Sequence, residues 1–306
     1  MFFSINHYNQ IFHKKVPIMK KEFFIAQISD MHIVGNESLN ILNNIQLEKT
    51  IKKINKFKPK IDLIVATGDL TDNGYTNEYK VLQKIFSKSV PDVLMIPGNH
   101  DKRKNLIKIF SNQEYLLNNK FFCYTVSNLP VFLIFLDTLV EGKPGGEICK
   151  ERFLWLKERL FQNKDKPTII FLHHPPFNCG IWWMDAIGLK GRKELKKLIE
   201  SYTNIEAILA GHIHRSIQKK WAGTFAHIAP STAHQIELDI SGNKFLHIND
   251  EPPAFSLHHW SADNGLTSHI CYTEKSKSYV NSKIKDINKY REFFIKAKLE
   301  LDKFEK

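Results

Sequence analysis

Apolar runs along this chain are short, and polar clusters punctuate them. "FFIAQIS" (23–29), "IDLIVAT" (61–67), "DVLMI" (92–96), "TIIFL" (168–172) and "IEAILA" (205–210) are near-continuous apolar segments of strand length. Runs of this kind predict strands covered on both faces. Between them, apolar residues recur at helical spacing over 39–57, 76–88, 150–162 and 190–201. "FFCYTVS" and "VFLIFLD", within 121–137, read as a strand pair joined through Asn128-Leu129-Pro130. From 214 to 273 short alternating runs predict antiparallel strands, and 281–304 predicts a helix. Strands alternating with helices, then strands alone, predict an α/β domain with mixed sheets.

Each of the five long apolar runs ends in the same way. "SDMH" brings Asp30 and His32, "TGDLTDNG" brings Asp69, and "PGNHD" brings Asn99, His100 and Asp101. "LHHPP" brings His173 and His174, and "GHIH" brings His212 and His214. In open α/β sheets, sites form beyond the carboxyl ends of the strands, where loops converge. Five ends loaded with Asp, Asn and His predict a dense set of metal-type donors in one crevice. Imidazole with carboxylate, and no thiolate, suits Fe, Mn, Zn or Co. The donors are too many for one ion of four to six coordination, so a two-metal site with one bridging carboxylate is the economical reading. Taken singly, a His after a strand or a Gly-Asn turn is ordinary turn chemistry. The joint pattern is not. The later run His258-His259-Trp260 reads as sheet packing.

Composition narrows the class. The 306 residues are 42% hydrophobic, enough for a sizeable core, and no apolar run reaches bilayer-spanning length. Four cysteines stand far apart without a CxxC pair, which predicts reduced thiols in a cytoplasmic protein. The net charge of +12 raises nucleic acid as a partner, but the basic residues are dispersed rather than gathered near the clusters, so no specific nucleic-acid partner is expected. Residues 1–20 read as an N-terminal extension, with "MKKEFFIAQISD" from Met19 resembling a start of its own. Residues 21–275 read as the domain and 276–306 as a basic helical tail.

Asp-x-His, Gly-Asp, Gly-Asn-His-Asp, a His after a strand, and Gly-His-x-His, in this order from Asp30 to His214, resemble the calcineurin-like metallophosphoesterases. "HHPPF…WWMDAIGLKGRKEL" and "APSTAHQIELD…PPAFSLHHW" are similar to the class III cyclic-nucleotide phosphodiesterases and their glycerophosphodiesterase relatives. The resemblance implies a four-layer α/β/β/α sandwich of two mixed sheets. It implies one metal held by Asp30, His32 and His214, a second by Asn99, His173 and His212, and Asp69 bridging. His173 is taken over His174 as the residue immediately after the strand. His100 corresponds to a histidine that assists the leaving group, with Asp101 orienting it. Two ions would acidify a shared water for in-line attack on a phosphodiester.

The segment 177–189, "FNCGIWWMDAIGL", is expected to select the substrate, with His174, Trp183 and Asp185 as candidate contacts. Its tryptophans could equally form an apolar cap on the domain or on a second subunit, so a homodimer is left open. A small phosphodiester, 3′,5′-cyclic AMP first, is the expected substrate. A glycerophosphodiester or a broad range of diesters is the alternative. A nuclease or a non-catalytic scaffold fits less well.

Overall fold

The computed structural model describes residues 10–11, 22–35, 41–117, 120–242, 245–275, 277 and 286–304. In chain order the first half runs β1 (Gln10–Ile11), β2 (Glu22–Ile28), α1 (Leu42–Asn55), β3 (Leu63–Thr67), α2 (Thr76–Phe86), β4 (Asp92–Ile96), α3 (Arg103–Ile109), β5 (Tyr124–Val126) and β6 (Phe132–Leu136). Next come β7 (Gly146–Glu147), α4 (Lys150–Gln162), β8 (Thr168–Leu172), α5 (Trp182–Ala186), β9 (Leu189–Lys190), α6 (Arg192–Ile199) and β10 (Ile205–Ala210). The remainder is β11 (Ile217–Trp221), β12 (Thr224–Ile228), β13 (Gln235–Ile236), β14 (Ile248–Asn249), β15 (Ala254–Ser261), β16 (Gly265–Tyr272) and α7 (Ile287–Phe304). The chain divides into two units, Met1–Glu274 and Lys275–Lys306. The second contains α7. Apart from Gln10 and Ile11, which pair with Thr125 and Val126, the proposed extension 1–20 lies outside the described residues.

Two mixed sheets carry the first unit. One has the order β16-β15-β2-β3-β4, the other β1-β5-β6-β8-β10-β12-β11. β2, β3 and β4 are parallel, as are β6, β8, β10 and β12, while β15 runs antiparallel to β2. The parallel β10–β12 pair departs from the antiparallel pattern expected for 214–273. A tight hairpin explains it: Ala222 and Gly223 both have positive φ, so β11 folds back at once and returns β12 into the sheet beside β10.

Side-chain alternation makes the layers. Leu133 and Phe135 of β6, Ile169 and Phe171 of β8, and Ala207 and Leu209 of β10 join the core shared with β2, β3 and β15. Their neighbours Phe132, Ile134, Ile170, Leu172 and Ile208 face the other way, onto Leu156 and Leu160 of α4 and Leu195, Leu198 and Ile199 of α6. Leu47, Ile51 and Ile54 of α1 and Leu82 and Ile85 of α2 cover the first sheet. The result is the four-layer α/β/β/α sandwich. His258 and Trp260 are buried in β15 and His259 stacks on Phe24 at 4.4 Å, so this run is sheet packing. Among the described residues no helix is long and apolar enough to cross a membrane.

Candidate metal centre

The loops after β2, β3, β4, β8 and β10 bring their polar residues together. Five of these residues bend the backbone into the left-handed region: Asp30, His32, Asp69, His212 and His214, with φ of 51°, 43°, 45°, 73° and 53°. Among the described residues Ala222 is the one other non-glycine with positive φ. The conformation costs roughly 1–2 kcal/mol per residue, and it collects where a site needs side chains aimed off the strand axis. Backbone bonds hold it, from Asp30 N to Gly68 O at 3.1 Å and from His32 N to Asp69 O at 3.0 Å. At Gly98 a Cβ would collide with the Asp69 carboxylate, so "PGNH" needs glycine for the two loops to touch.

Donor atoms converge in two groups. His32 Nδ1 donates to Asp72 Oδ1 at 3.2 Å, and His214 Nδ1 donates to the His234 carbonyl at 3.0 Å. Those partners accept only, so each ring carries its proton on Nδ1. The two Nε2 atoms therefore face each other 3.1 Å apart, at most one proton or one cation shared between them. Asp30 Oδ1 lies 3.5 Å from His214 Nε2 and Asp69 Oδ2 lies 3.7 Å from His32 Nε2. In the second group His173 Nδ1 donates to Thr67 O at 2.7 Å. Its Nε2 then faces Asn99 Oδ1 at 3.1 Å and Asp69 Oδ1 at 3.4 Å. His212 Nε2 is buried without a hydrogen-bond partner. Each converging Nε2 calls for a cation beside it, a proton or a metal ion, and a set of imidazole nitrogens, carboxylates and an amide oxygen fits metal ions. Asp30, His32, Asp69 and His214 can share one ion. Asp69 offers one oxygen to each group.

Electrostatics point the same way. Burial raises the pKa of Asp30, while Asp69 is held well below the carboxylate range because His173 and His32 outweigh its burial. Burial disfavours charge on His173, yet Asp69 and Asp30 lift it to about 9. His32 is also raised against burial, by Asp72 and the two carboxylates. Burial and the His173 charge drop His212 to about 3, and burial with His32 holds His214 well below its ordinary value. The cluster attracts positive charge but leaves two imidazoles neutral, as metal donors must be.

His100 stands exposed at the edge of this cluster. Its Nδ1 donates to the Asp72 carbonyl at 2.7 Å and its ring meets His32 edge-on at 4.6 Å. Asp101 does not orient it, contrary to expectation. The Asp101 carboxylate accepts from Gly98 N at 2.9 Å, Leu70 N at 3.0 Å, Thr71 N at 3.3 Å and Tyr79 Oη at 2.8 Å, binding the β3 and β4 loops together. Two expected substrate contacts also point elsewhere. His174 is fully buried, with Nδ1 on the Thr138 hydroxyl at 2.9 Å and Nε2 on Pro144 O at 3.2 Å, and it groups with His173 and His212 rather than facing open space. Asp185 accepts from Cys179 N at 2.7 Å and Gly180 N at 2.9 Å, closing its own loop. Trp183 is 36% exposed on α5, edge-on to Trp182. Asp72 and His234 went unassigned in the sequence. Asp72 lay in the quoted "TGDLTDNG", and its place three residues after Asp69 was the available signal.

The family model described as calcineurin-like phosphoesterase matches residues 24–216. A probable glycerophosphodiester phosphodiesterase from Arcobacter nitrofigilis is 35% identical over 256 residues, 82% of this chain and 93% of that protein. A 3′,5′-cyclic-nucleotide phosphodiesterase from a Nostoc species is 30% identical over 84% of this chain and 93% of its own length. A 3′,5′-cyclic adenosine monophosphate phosphodiesterase from Haemophilus influenzae is 30% identical over 75% of this chain and 82% of its own. Among solved structures, a dimetal phosphatase from Danio rerio shares the fold at a TM-score of 0.61, with 15% identity over 82% of this chain and 99% of that one.

Proposed function

The chain belongs to the calcineurin-like phosphoesterase family, and from that premise we propose that it hydrolyses a small phosphodiester at two metal ions. Asp30, His32 and His214 would hold one ion, Asn99, His173 and His212 the other, and Asp69 would serve both. The observation that carries this reading is the placement of Asp69, with Oδ2 3.7 Å from His32 Nε2 and Oδ1 3.4 Å from His173 Nε2. Such a pair of ions, when bound, acidifies water and neutralises charge on phosphoryl oxygens.

The remaining chemistry belongs to side chains of this chain. Asp72 fixes the proton of His100 on Nδ1, so a proton taken up at Nε2 is the one available to the departing alcohol oxygen. The same residue fixes the proton of His32 through its carboxylate. His173 and His212 are buried, while His100 stands exposed at the edge of the cluster.

The first substrate is 3′,5′-cyclic AMP, in line with the two cyclic-nucleotide phosphodiesterase relatives. A glycerophosphodiester is the second reading, favoured by the relative of 35% identity bearing that name. The test is a panel of cyclic AMP, cyclic GMP, glycerophosphoethanolamine and bis-p-nitrophenyl phosphate, each with Mn²⁺, Fe²⁺, Co²⁺ or Zn²⁺. Turnover of the model diester with one natural diester is expected. No turnover of any diester with any metal would end the proposal.

A further inference from the structure

The candidate ligands come from both sheets. Asp30, His32, Asp69 and Asn99 follow strands of the five-stranded sheet, and His173, His212 and His214 follow strands of the seven-stranded one. The distance between the two sheets at this end therefore sets the distance between the two halves of the donor set. One fully buried side chain spans that gap.

Gln27, on β2, donates from Nε2 both to Thr67 Oγ1 at 3.0 Å and to the carbonyl oxygen of Ala210, on the opposite sheet, at 2.9 Å. Its Oε1 accepts from His258 Nε2 at 2.9 Å. That fixes the imidazole proton on Nε2, so His258 Nδ1 accepts from the Ser268 hydroxyl at 2.7 Å. Thr67 lies two residues before Asp69, and its carbonyl oxygen receives the Nδ1–H of His173. Ala210 lies two residues before His212. The approach of the sheets just beyond this bridge is as close as backbone allows: a Cβ on Gly211 would lie 2.9 Å from Asp30 Oδ2 and 3.0 Å from Thr67 O, and would overlap Ser29 Oγ.

We infer that Gln27, held by His258 and Ser268, is a positioning residue that sets the separation of the two ligand halves, and with it the affinity for both ions. None of these three hydrogen bonds goes to a candidate metal donor. Gln27 acts through the ends of β2, β3 and β10, which it ties together. The inference rests on the two-metal reading above.

A second polar bond between the sheets supplies the contrast. His227 Nε2 and Ser256 Oγ are 2.7 Å apart on β12 and β15, equally buried, but neither strand carries a ligand loop. The experiment titrates the metal-free full-length protein with Mn²⁺ by calorimetry and records its melting temperature. Gln27→Leu, which keeps bulk and loses all three bonds, is expected to weaken Mn²⁺ binding at both sites about 10–100-fold, the usual effect of losing a group that orients ligands. Gln27→Glu, which keeps the shape but turns an acceptor toward the Ala210 carbonyl, is expected to do the same and stands in if the leucine variant does not fold. Ser256→Ala is expected to lower the melting temperature with Mn²⁺ affinity within about twofold of the wild type, since its bond orients no ligand. A folded Gln27 variant that binds two Mn²⁺ with wild-type affinity would overturn the inference, whatever its melting temperature. Wild-type protein that binds no Mn²⁺ would instead overturn the two-metal reading, and the inference with it.

Discussion

His173 donates from Nδ1 to the carbonyl oxygen of Thr67 at 2.7 Å, a bond from the end of one sheet to the end of the other. It leaves Nε2 as the atom that takes either a second proton or a cation, and the neighbouring carboxylates place that titration at about 9. A metal ion must displace the proton. Affinity for Mn²⁺ is therefore expected to rise about tenfold per pH unit between roughly pH 6 and 9 and to level off above, with proton release on binding. Calorimetry at three pH values in buffers of different ionisation enthalpy measures both quantities. A flat affinity without proton release would refute the assignment of His173.

In the proposed mechanism His100 serves the departing alcohol. His100→Ala should lower kcat for cyclic AMP about 10²–10⁴-fold while two Mn²⁺ still bind. Bis-p-nitrophenyl phosphate, whose leaving group needs no proton, should lose less than about tenfold. Equal losses on both substrates would show that His100 acts before bond breaking.

Asp101 holds two loops rather than an imidazole. Burial and the nearby Asp69 charge raise its pKa to about 6. Asp101→Ala leaves four groups of donors without their acceptor and should destabilise the fold on the order of 3 kcal/mol. The pH dependence of kcat should keep its shape, because His100 takes its orientation from Asp72. A shifted acidic or basic limb would restore an orienting role to Asp101.

His227 provides a pH signature away from the centre. Burial lowers its pKa to about 4, below the ordinary histidine value. Between about pH 6.5 and 4 the unfolded chain binds a proton here that the folded chain does not, so stability is lost as pH falls through that window and the loss ends below it. The slope contributed is up to about 1.4 kcal/mol per pH unit. Urea unfolding of wild type and His227→Gln across this range tests it: the variant should lose that share of the slope.

The strand ends were legible because apolar runs that stop at Asp30, Asp69, Asn99, His173 and His212 carry both the fold and the chemistry in a few adjacent letters. What sequence could not reveal is where a polar side chain turns. Asp101 reads as a partner of its neighbour His100, yet its carboxylate is taken by amides of residues 70 and 71, some thirty positions away. Asp185 is claimed by the backbone of its own loop. His173 and His174 differ because successive residues leaving β8 point to opposite sides, one to Asp69 and the other to Thr138. The helix Arg103–Ile109 and the two-residue strands β7 and β9 were missed, being too short for periodicity to register.

The neighbour of β2 on its open side is β15, which the chain supplies more than two hundred residues later. A chain growing from the ribosome thus has all seven candidate ligands in hand once residue 214 has emerged, while the strand that leads to Asp30 and His32 still shows bare amides and carbonyls to its surroundings. Only when residues 254–261 slide in does that edge vanish and the Gln27–His258 bond become able to form. A nascent chain paused short of β15 therefore keeps that edge open to pairing with a strand from another chain.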